Sequence, residues 1–284
     1  MTPLPRWHPH EPCAVDGDAS HLIPTAIFSG ACTSQPGHPP TTTLSNGQFI
    51  MTDSRYVIPP APQAAIAVAG SDQVFPVRRI WCVGRNYIEH IREMGQDERA
   101  PPFFFAKPAD AIVPNGGTVP YPSLTKDMHH EVELVVALKS GGRNIPVAKA
   151  NDCIYGYAVG IDLTRRDLQI ASRDVKRPWE VGKAFDASAP CGPLMPASKI
   201  GHPTKGKIVL KVNGQVRQDG DLNQMIWNVP ETIAKLSEMV ALEAGDVIMT
   251  GTPSGVAATV AGDKIECEVE GVGKLTVTIG PPLK

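Results

Sequence analysis

The amino-acid sequence predicts a β-rich α+β fold, and three observations support this prediction. Near the carboxyl end, apolar and polar residues alternate with a period of two, as in strands with one buried face. Asn213-Gly214 separates two such runs and is the strongest short signal for a β-hairpin. The predicted strands outnumber the predicted helices and do not alternate regularly with them, so parallel βαβ winding is not expected.

The first regular segment begins near Arg79. Residues 80–83 are apolar and typical of a short buried strand, which Gly84 ends. We predict a helix over residues 86–94 that stops at Gly95, because glycine commonly follows the last turn of a helix. Polar residues after Gly95 indicate a loop, so this helix is a candidate for a mobile lid over a site.

Further strands are predicted along the rest of the chain, at residues 131–138, 155–163, 207–212, 215–218 and 247–250. A helix is predicted from Pro230, a residue favoured in the first turn, with Ile233, Leu236 and Val240 on one face. The last hairpin has one buried face that alternates with polar residues and is formed by Ile265, Cys267, Val269, Leu275, Val277 and Ile279.

The composition indicates three segments. Residues 1–50 are rich in proline and histidine, contain Arg6 as their single basic residue and lack periodicity, so we predict a poorly ordered extension. Residues 51–78 form a short lead-in, and residues 79–284, where the regular patterns lie, form the main domain. Met51 is a candidate natural start.

The net charge, the hydropathy and the cysteine positions disfavour several classes of protein. The net charge of −2 leaves no electrostatic footprint for nucleic acid or a lipid surface. No apolar run is long enough to span a membrane, and no secretory signal is recognised at the start. The six cysteines are scattered without a C-x-x-C pair, which predicts reduced, core-packed thiols in a cytoplasmic protein rather than a structural zinc site.

Three carboxylates form the first candidate site. Glu131 and Glu133 are two residues apart on a predicted strand, so both side chains point to one face. Asp162 ends an apolar strand, where an unpaired carboxylate would be costly. An all-oxygen donor set suits Mg²⁺ or Mn²⁺ better than Zn²⁺. By spacing alone, a solvated strand face is the more common explanation for a pair such as Glu131 and Glu133.

Five motifs, in order and over about residues 79–279, resemble the signature series of the fumarylacetoacetate hydrolase family. They are Cys82 to His90, Glu131-x-Glu133, Asp162 to Gln169, Gly182 to Phe185 and Thr250 to Gly255. The first motif is similar to that of the smaller members, the acylpyruvate and fumarylpyruvate hydrolases. The resemblance implies the family's mixed β-roll or sandwich for residues 79–284 and a homodimer. It also implies one Mg²⁺ or Mn²⁺ per chain held by Glu131, Glu133 and Asp162.

The resemblance also implies roles for residues around the metal. His90 and Glu93, at i and i+3, form the catalytic dyad in which Glu93 orients His90 as a water-activating base. Lys183 stabilises enolate charge. Arg166, Gln169 and Thr252 contact the substrate, the arginine by a bidentate fork to a carboxylate.

The implied reaction is hydrolysis of the carbon–carbon bond of a 2,4-dioxo acid. Water activated by His90 attacks the C4 carbonyl, and the pyruvate enolate that leaves is stabilised by the metal and Lys183. Fumarylpyruvate from gentisate breakdown, giving fumarate and pyruvate, is the favoured substrate. One of the cations Arg85, Lys107, Arg165 and Arg177 is expected to bind its distal carboxylate, with Arg177 and Arg165 the first to test.

Several alternatives remain. Within the family they are a general acylpyruvate hydrolase, an oxaloacetate decarboxylase, and an isomerase or decarboxylase of 2-hydroxyhepta-2,4-diene-1,7-dioate in homoprotocatechuate breakdown. A serine hydrolase is disfavoured because Gly251 to Gly255 does not match G-x-S-x-G. A non-catalytic binding module would not need charged side chains at Glu131, Glu133 and Asp162, and metal content would distinguish it.

Overall fold

The computed structural model describes residues 42–43, 49–50, 56–87 and 99–282. The chain divides into two units, Met1–Pro60 and Ala61–Lys284. In the described part of the first unit, two short strands pair with each other. The prediction for the remainder of residues 1–50 lies outside the described residues.

Strands dominate the described residues and confirm the predicted fold class. The strands are β1 (Thr42–Thr43), β2 (Phe49–Ile50), β3 (Ala65–Ala67), β4 (Val74–Pro76), β5 (Arg79–Val83), β6 (Phe104–Lys107), β7 (Ile112–Pro114), β8 (Thr118–Pro120), β9 (Met128–His130), β10 (Val132–Leu138), β11 (Ile154–Ile161), β12 (Thr164–Arg165), β13 (Ala189–Cys191), β14 (Met195–Pro196), β15 (Lys207–Val212), β16 (Gln215–Asp221), β17 (Asp246–Met249), β18 (Ala257–Thr259), β19 (Lys264–Val269) and β20 (Gly273–Gly280).

The helices are short and lie between the strands. They are α1 (Val147–Ala150), α2 (Arg166–Asp174), α3 (Glu180–Lys183), α4 (Ala197–Ile200) and α5 (Val229–Met239), with single 3₁₀ turns at Ala109–Ala111, Asn151–Cys153 and Leu222–Gln224. Helix α5 begins as the sequence predicts: Asn228 caps it by accepting a hydrogen bond from the Glu231 N–H, and Pro230 lies in its first turn. None of the described helices is long and apolar enough to cross a membrane.

The second unit is organised around an eight-stranded sheet with the order β6-β5-β17-β10-β11-β13-β7, in which β14 also pairs with β11. A five-stranded sheet has the order β16-β15-β19-β20-β8, and a three-stranded sheet has the order β12-β9-β18. Strands β3 and β4 form a separate ladder. The main sheet is a curled half-barrel.

Alternate residues of β10 enter two different hydrophobic cores. Leu134 and Val136 pack with residues of the five-stranded sheet, such as Leu210. Val135 and Ala137 pack with a smaller core that includes residues of β5. The central strand is therefore buried on both faces, which explains why residues 131–138 are almost continuously apolar. A carboxylate in this strand is necessarily buried.

The predicted strands are confirmed with bounds shifted by one to three residues. Asn213 and Gly214 both have positive φ angles, 51° and 78°, as a two-residue hairpin of this hand requires. One prediction is wrong at its start: Asn86 and Tyr87 are not helical. Tyr87 instead forms an antiparallel β-bridge with Met225, and the side chains of both residues are buried. The rest of the predicted helix, residues 88–94, lies outside the described residues.

Candidate active site

Two neighbouring strands bring the three predicted carboxylates together. Glu131 immediately precedes β10, Glu133 lies within it, and Asp162 follows β11, its antiparallel neighbour. The Asp162 N–H donates to the Glu131 carbonyl at 2.9 Å, which fixes the two residues side by side. One oxygen from each of the three carboxylates lies within 4.8 Å of the others, and all three residues are buried. The alternative of a solvated strand face is therefore wrong.

Two buried lysines balance part of this negative charge. Lys183, in the last turn of α3, donates to Glu131 at 2.9 Å, to Asp162 at 2.6 Å and to Thr164 at 2.7 Å. Lys107, at the end of β6, lies 2.8 Å from the other Asp162 oxygen and donates to the Leu163 carbonyl at 3.0 Å. Burial lowers the pKa of Lys183, but Asp162 and Glu131 outweigh it and raise that pKa to about 12. Lys183 is thus a cation at neutral pH.

The pKa values of the two glutamates shift in opposite directions although the residues are two positions apart. For Glu131, burial raises the pKa, but Lys183 and Arg166 outweigh burial and hold it at about 2. For Glu133, burial and then the neighbouring Asp162 and Glu131 raise the pKa well above its usual range. The Gly251 N–H donates to Glu133 at 2.7 Å and only partly offsets this effect. A divalent cation among the three carboxylates would remove the repulsion that favours neutral Glu133.

Helix α2 places two of the predicted substrate-binding residues, Arg166 and Gln169, in the same site. The Arg166 guanidinium donates to both Glu131 and Gln169, so one arginine orients a carboxylate and an amide. Its Nε also lies 3.4 Å from His129 Nδ1. Burial, followed by Arg166, lowers the pKa of His129, which favours a neutral imidazole in the wall of the site.

Thr252 is held by a buried glutamine. Gln218 Nε2 donates to the Thr252 hydroxyl at 2.8 Å and to the Pro253 carbonyl at 2.9 Å. The Thr252 hydroxyl donates in turn to the Val132 carbonyl at 2.8 Å. Since a hydroxyl has one proton, Thr252 in this arrangement can only accept a hydrogen bond from a ligand.

These side chains surround a cleft of about 400 Å³. Its described lining includes Glu131, Glu133, Arg166, Gln169, Lys183 and Thr252, together with Arg85, Ile170, Arg173 and Trp179. Six of the nine predicted site residues therefore line one cavity. Asp162 is adjacent to them through its contact with Lys183.

The sequence profile described as "Fumarylacetoacetate (FAA) hydrolase C-terminal" matches residues 79–280, which is most of the second unit. The chain belongs to the fumarylacetoacetate hydrolase family. The crystal structure of fumarylpyruvate hydrolase from Pseudomonas aeruginosa in complex with Mn²⁺ and pyruvate is 50% identical, with a TM-score of 0.78 over 80% of this chain and 99% of that one.

Other relatives of this fumarylacetoacetate hydrolase family member have different names. Human mitochondrial oxaloacetate tautomerase FAHD1 is 39% identical over 73% of this chain and 97% of its own length. The crystal structure of 2-hydroxyhepta-2,4-diene-1,7-dioate isomerase from Mycobacterium marinum is 30% identical, with a TM-score of 0.66 over 75% of this chain and 79% of that one. Family membership therefore leaves the substrate open.

The family resemblance also singled out the dyad His90 and Glu93. Both lie outside the described residues, so their catalytic role stays a prediction. The strand that leads to them ends at Val83, and Arg85 and Asn86, which follow it, line the cleft.

The cations proposed for a distal carboxylate need a correction. Lys107 forms an ion pair with Asp162 in the carboxylate cluster, and the Arg165 guanidinium lies 4.4 Å from the ring centre of Phe185. Neither Arg165 nor Arg177 is among the described residues that line the cleft. Of the proposed cations, Arg85 does line the cleft, and Arg173, which was not proposed, lines it as well. Arg173 was missed, although its position seven residues after Arg166 places it on the same helix face.

Two further residues that support the site, Gln218 and His130, were not predicted from the sequence, for a different reason. Gln218 holds the Thr252 loop from β16, and His130 Nδ1 pairs with Gln218 Oε1 at 3.0 Å. Their role depends on contacts across 34 and 88 residues of sequence. No local pattern signals such contacts.

Proposed function

We propose that the protein is a metal-dependent hydrolase that cleaves the carbon–carbon bond of a 2,4-dioxo acid, with fumarylpyruvate as its substrate and fumarate and pyruvate as products. One observation carries the proposal: three buried carboxylates converge within 4.8 Å beside Lys183 and Arg166. The names of relatives over most of the chain support the reaction class. This assignment fits the breakdown of aromatic compounds through gentisate.

The donor set fits a single Mg²⁺ or Mn²⁺. All three candidate ligands, Glu131, Glu133 and Asp162, offer oxygen, the donor that these hard cations prefer. When bound, the cation supplies Lewis-acid polarisation of the oxygens at the pyruvyl end of the substrate. The Pseudomonas relative crystallised with Mn²⁺ and pyruvate supports this placement.

The remaining residues bind and orient the substrate. Arg166 presents a planar guanidinium to the substrate carboxylate, and Gln169 is held beside it. Lys183 stays protonated and is directed into the carboxylate cluster, where it stabilises negative charge that develops on an enolate oxygen. Thr252 accepts a hydrogen bond from the enol or water. We assign the proton transfer from water to His90, oriented by Glu93.

The test combines metal removal with substitution. Untreated protein should hydrolyse acylpyruvates in the presence of Mn²⁺, seen as loss of enol absorbance, and excess EDTA should stop the reaction. Glu131→Gln and Asp162→Asn should each abolish turnover while circular dichroism shows a folded chain. Glu238→Gln, an exposed carboxylate on α5 paired with Lys235, is the matched control and should keep full activity. Full activity of Glu131→Gln in EDTA would contradict the proposal.

The similarity to an oxaloacetate tautomerase favours a second candidate, enolate chemistry on oxaloacetate by tautomerisation or decarboxylation. A third, isomerisation or decarboxylation of 2-hydroxyhepta-2,4-diene-1,7-dioate, has a structural relative. These reactions need the metal and Lys183 but no attack by water. Loss of acylpyruvate hydrolysis in His90→Ala with oxaloacetate turnover retained would separate the two chemistries.

We also propose an oligomeric state and a cellular compartment for the protein. We propose a homodimer, which light scattering on the purified protein tests directly. The four described cysteines are free and buried, Cys82, Cys153, Cys191 and Cys267, which suits a cytoplasmic protein with reduced thiols. Recovery of the protein as a monomer would contradict the first of these proposals.

A further inference from the structure

One face of helix α2 forms a continuous wall of the cleft. Arg166, Gln169, Ile170 and Arg173 all line it, and they are spaced i, i+3, i+4 and i+7, the positions that share one side of a helix. Arg166 contacts Glu131 at the carboxylate cluster. Arg173 is seven residues further on, about 10 Å along the helix axis. The wall therefore has a cation at each end and Ile170 between them.

A second guanidinium belongs to the same cleft. Arg85 lines the same cleft, and its guanidinium stacks 6.0 Å from the ring centre of Phe103. Phe103 in turn packs edge-on against Trp179, with ring centres 4.9 Å apart. Burial, and then the charge of Arg173, lowers the pKa of Arg85, which is consistent with two neighbouring guanidiniums. An anion between two like charges removes their repulsion.

We infer that Arg173, assisted by Arg85, binds the distal carboxylate of a long dicarboxylic dioxo acid whose pyruvyl end lies at the carboxylate cluster. The inference rests on the proposed function and defines its substrate class. Arg173 contacts Asp174 at 2.9 Å, but this pair joins adjacent, solvent-exposed residues and competes weakly with a substrate in the cleft.

The length of the substrate distinguishes the candidates. Six carbon–carbon bonds separate the two carboxylate carbons of fumarylpyruvate, as many bonds as in two extended residues, which span about 7 Å. Each terminal carboxylate adds a charge-assisted hydrogen bond of about 2.8 Å to its guanidinium, so a substrate of this length can contact both ends of the wall. Oxaloacetate has three such bonds and spans about half that length. Acetylpyruvate has no distal carboxylate. Neither compound makes the Arg173 contact.

The experiment compares fumarylpyruvate with acetylpyruvate in the Mn²⁺-loaded enzyme. The ratio of their kcat/KM values should favour fumarylpyruvate, and Arg173→Met should lower that ratio roughly 10- to 150-fold, the range for a lost charge-assisted hydrogen bond. Arg173→Lys should recover part of it because the charge is retained. Arg177→Met is the matched control, an exposed arginine in the segment after α2 that does not line the cleft, and should leave the ratio unchanged.

The outcomes separate this inference from the proposed function. An unaltered enzyme that hydrolyses both compounds equally well, or an Arg173→Met ratio within about twofold of the original, would overturn the distal site and keep the hydrolase. Failure of the unaltered, Mn²⁺-loaded enzyme to hydrolyse either compound would overturn the proposed function and the inference together. If Arg173→Met does not fold, Arg85→Met provides the same comparison at the second guanidinium of the cleft, with a fall in the ratio expected.

Discussion

At the scale of single residues, the opposite pKa shifts of Glu131 and Glu133 show how position determines charge. Glu131 lies beside the cations Lys183 and Arg166, whereas Glu133 faces two other carboxylates. Both are buried, so the difference arises from their partners rather than from solvent. A divalent cation among the three carboxylates would offset the repulsion at Glu133.

This difference predicts a pH dependence for the EDTA-treated protein. The folded-state pKa of Glu133 lies above its ordinary value of 4.5, so the stability it contributes is present below that value and lost as pH rises through the folded-state pKa. Between pH 4.5 and the folded-state pKa, we expect the free energy of unfolding to fall as pH rises, by up to about 1.4 kcal/mol per pH unit. Glu133→Gln should flatten the slope, since its carbonyl can still accept the Gly251 N–H. Urea unfolding at several pH values measures this.

Glu238→Gln is the control for this prediction, and Glu131 is expected to show the opposite pH dependence. Glu238→Gln, on the exposed face of α5, should leave the slope unchanged. Glu131 has a folded-state pKa of about 2, so its contribution is present above 4.5 and lost only as pH falls toward 2. A Glu133→Gln slope equal to that of the original protein would show that Glu133 is ionised in the metal-free state.

A second prediction concerns the dyad. His90→Ala should lower kcat for acylpyruvate hydrolysis by roughly 10²–10⁴-fold, the usual contribution of a general base. Glu93→Gln should lower kcat by a smaller factor because it disturbs the orientation of the base without removing it. Mn²⁺ affinity, measured by calorimetry, should hardly change in either variant. Unchanged kcat in both would exclude the dyad from catalysis.

At the scale of secondary-structure elements, Asn86 connects three parts of the main unit. Its Nδ2 donates to the Thr250 carbonyl at 2.7 Å and to the Trp227 carbonyl at 2.9 Å, and its Oδ1 accepts from the Trp227 N–H at 2.8 Å. It therefore links the segment after β5 to the end of β17 and to the start of α5. Gly251 packs against it with φ of +95°, a conformation that side chains disfavour, and an added Cβ would lie 2.7 Å from the Asn86 Cβ.

Asn86→Ala should therefore destabilise the fold. It leaves the buried Thr250 carbonyl and the part-buried Trp227 N–H without the partners that Asn86 supplies, each at a cost of about 1–3 kcal/mol. We expect a loss of at least about 2 kcal/mol in the free energy of unfolding, measured in urea with Mn²⁺ present. The control is Asn115→Ala, which removes one exposed bond to the Thr276 N–H and should cost less than about 1 kcal/mol. Equal losses in the two variants would argue against this account.

At the scale of the whole molecule, the main sheet places carboxylates in an apolar interior and surrounds them with cations from other elements. Lys107 comes from β6, Lys183 from α3 and Arg166 from α2. Three cations thus pair with Glu131 and Asp162, two of the three acids of the candidate metal site. This balance allows a charged cluster to exist in a core that is otherwise hydrophobic.

The domain division remains a proposal with a direct test. The family profile covers residues 79–280, and the second unit begins at Ala61. A chain that begins at Met51 should keep its melting temperature and its kcat, because none of the site residues or family motifs precede that position. A melting temperature lowered by several degrees, or a large fall in kcat, would show that residues 1–50 contribute to the catalytic unit.

Local features of the sequence determined much of the fold and part of the site. The turn at Asn213-Gly214, the start of α5 at Asn228 and Pro230, and the shared strand face of Glu131 and Glu133 follow from backbone conformation over a few residues. These preferences are encoded at short range, so the sequence alone predicts them.

Only the tertiary structure decided which charges meet. Residues from distant parts of the chain meet in the Asp162 contact with Lys107, in the hydrogen bond from Gln218 to Thr252 and in the cleft that Arg85 and Arg173 line. The non-helical backbone at Asn86 likewise reflects bonds to Trp227 and Thr250 rather than the helical preference expected there. Electrostatic and hydrogen-bond energies depend on separation in space, which the packing of the strands establishes and local sequence does not.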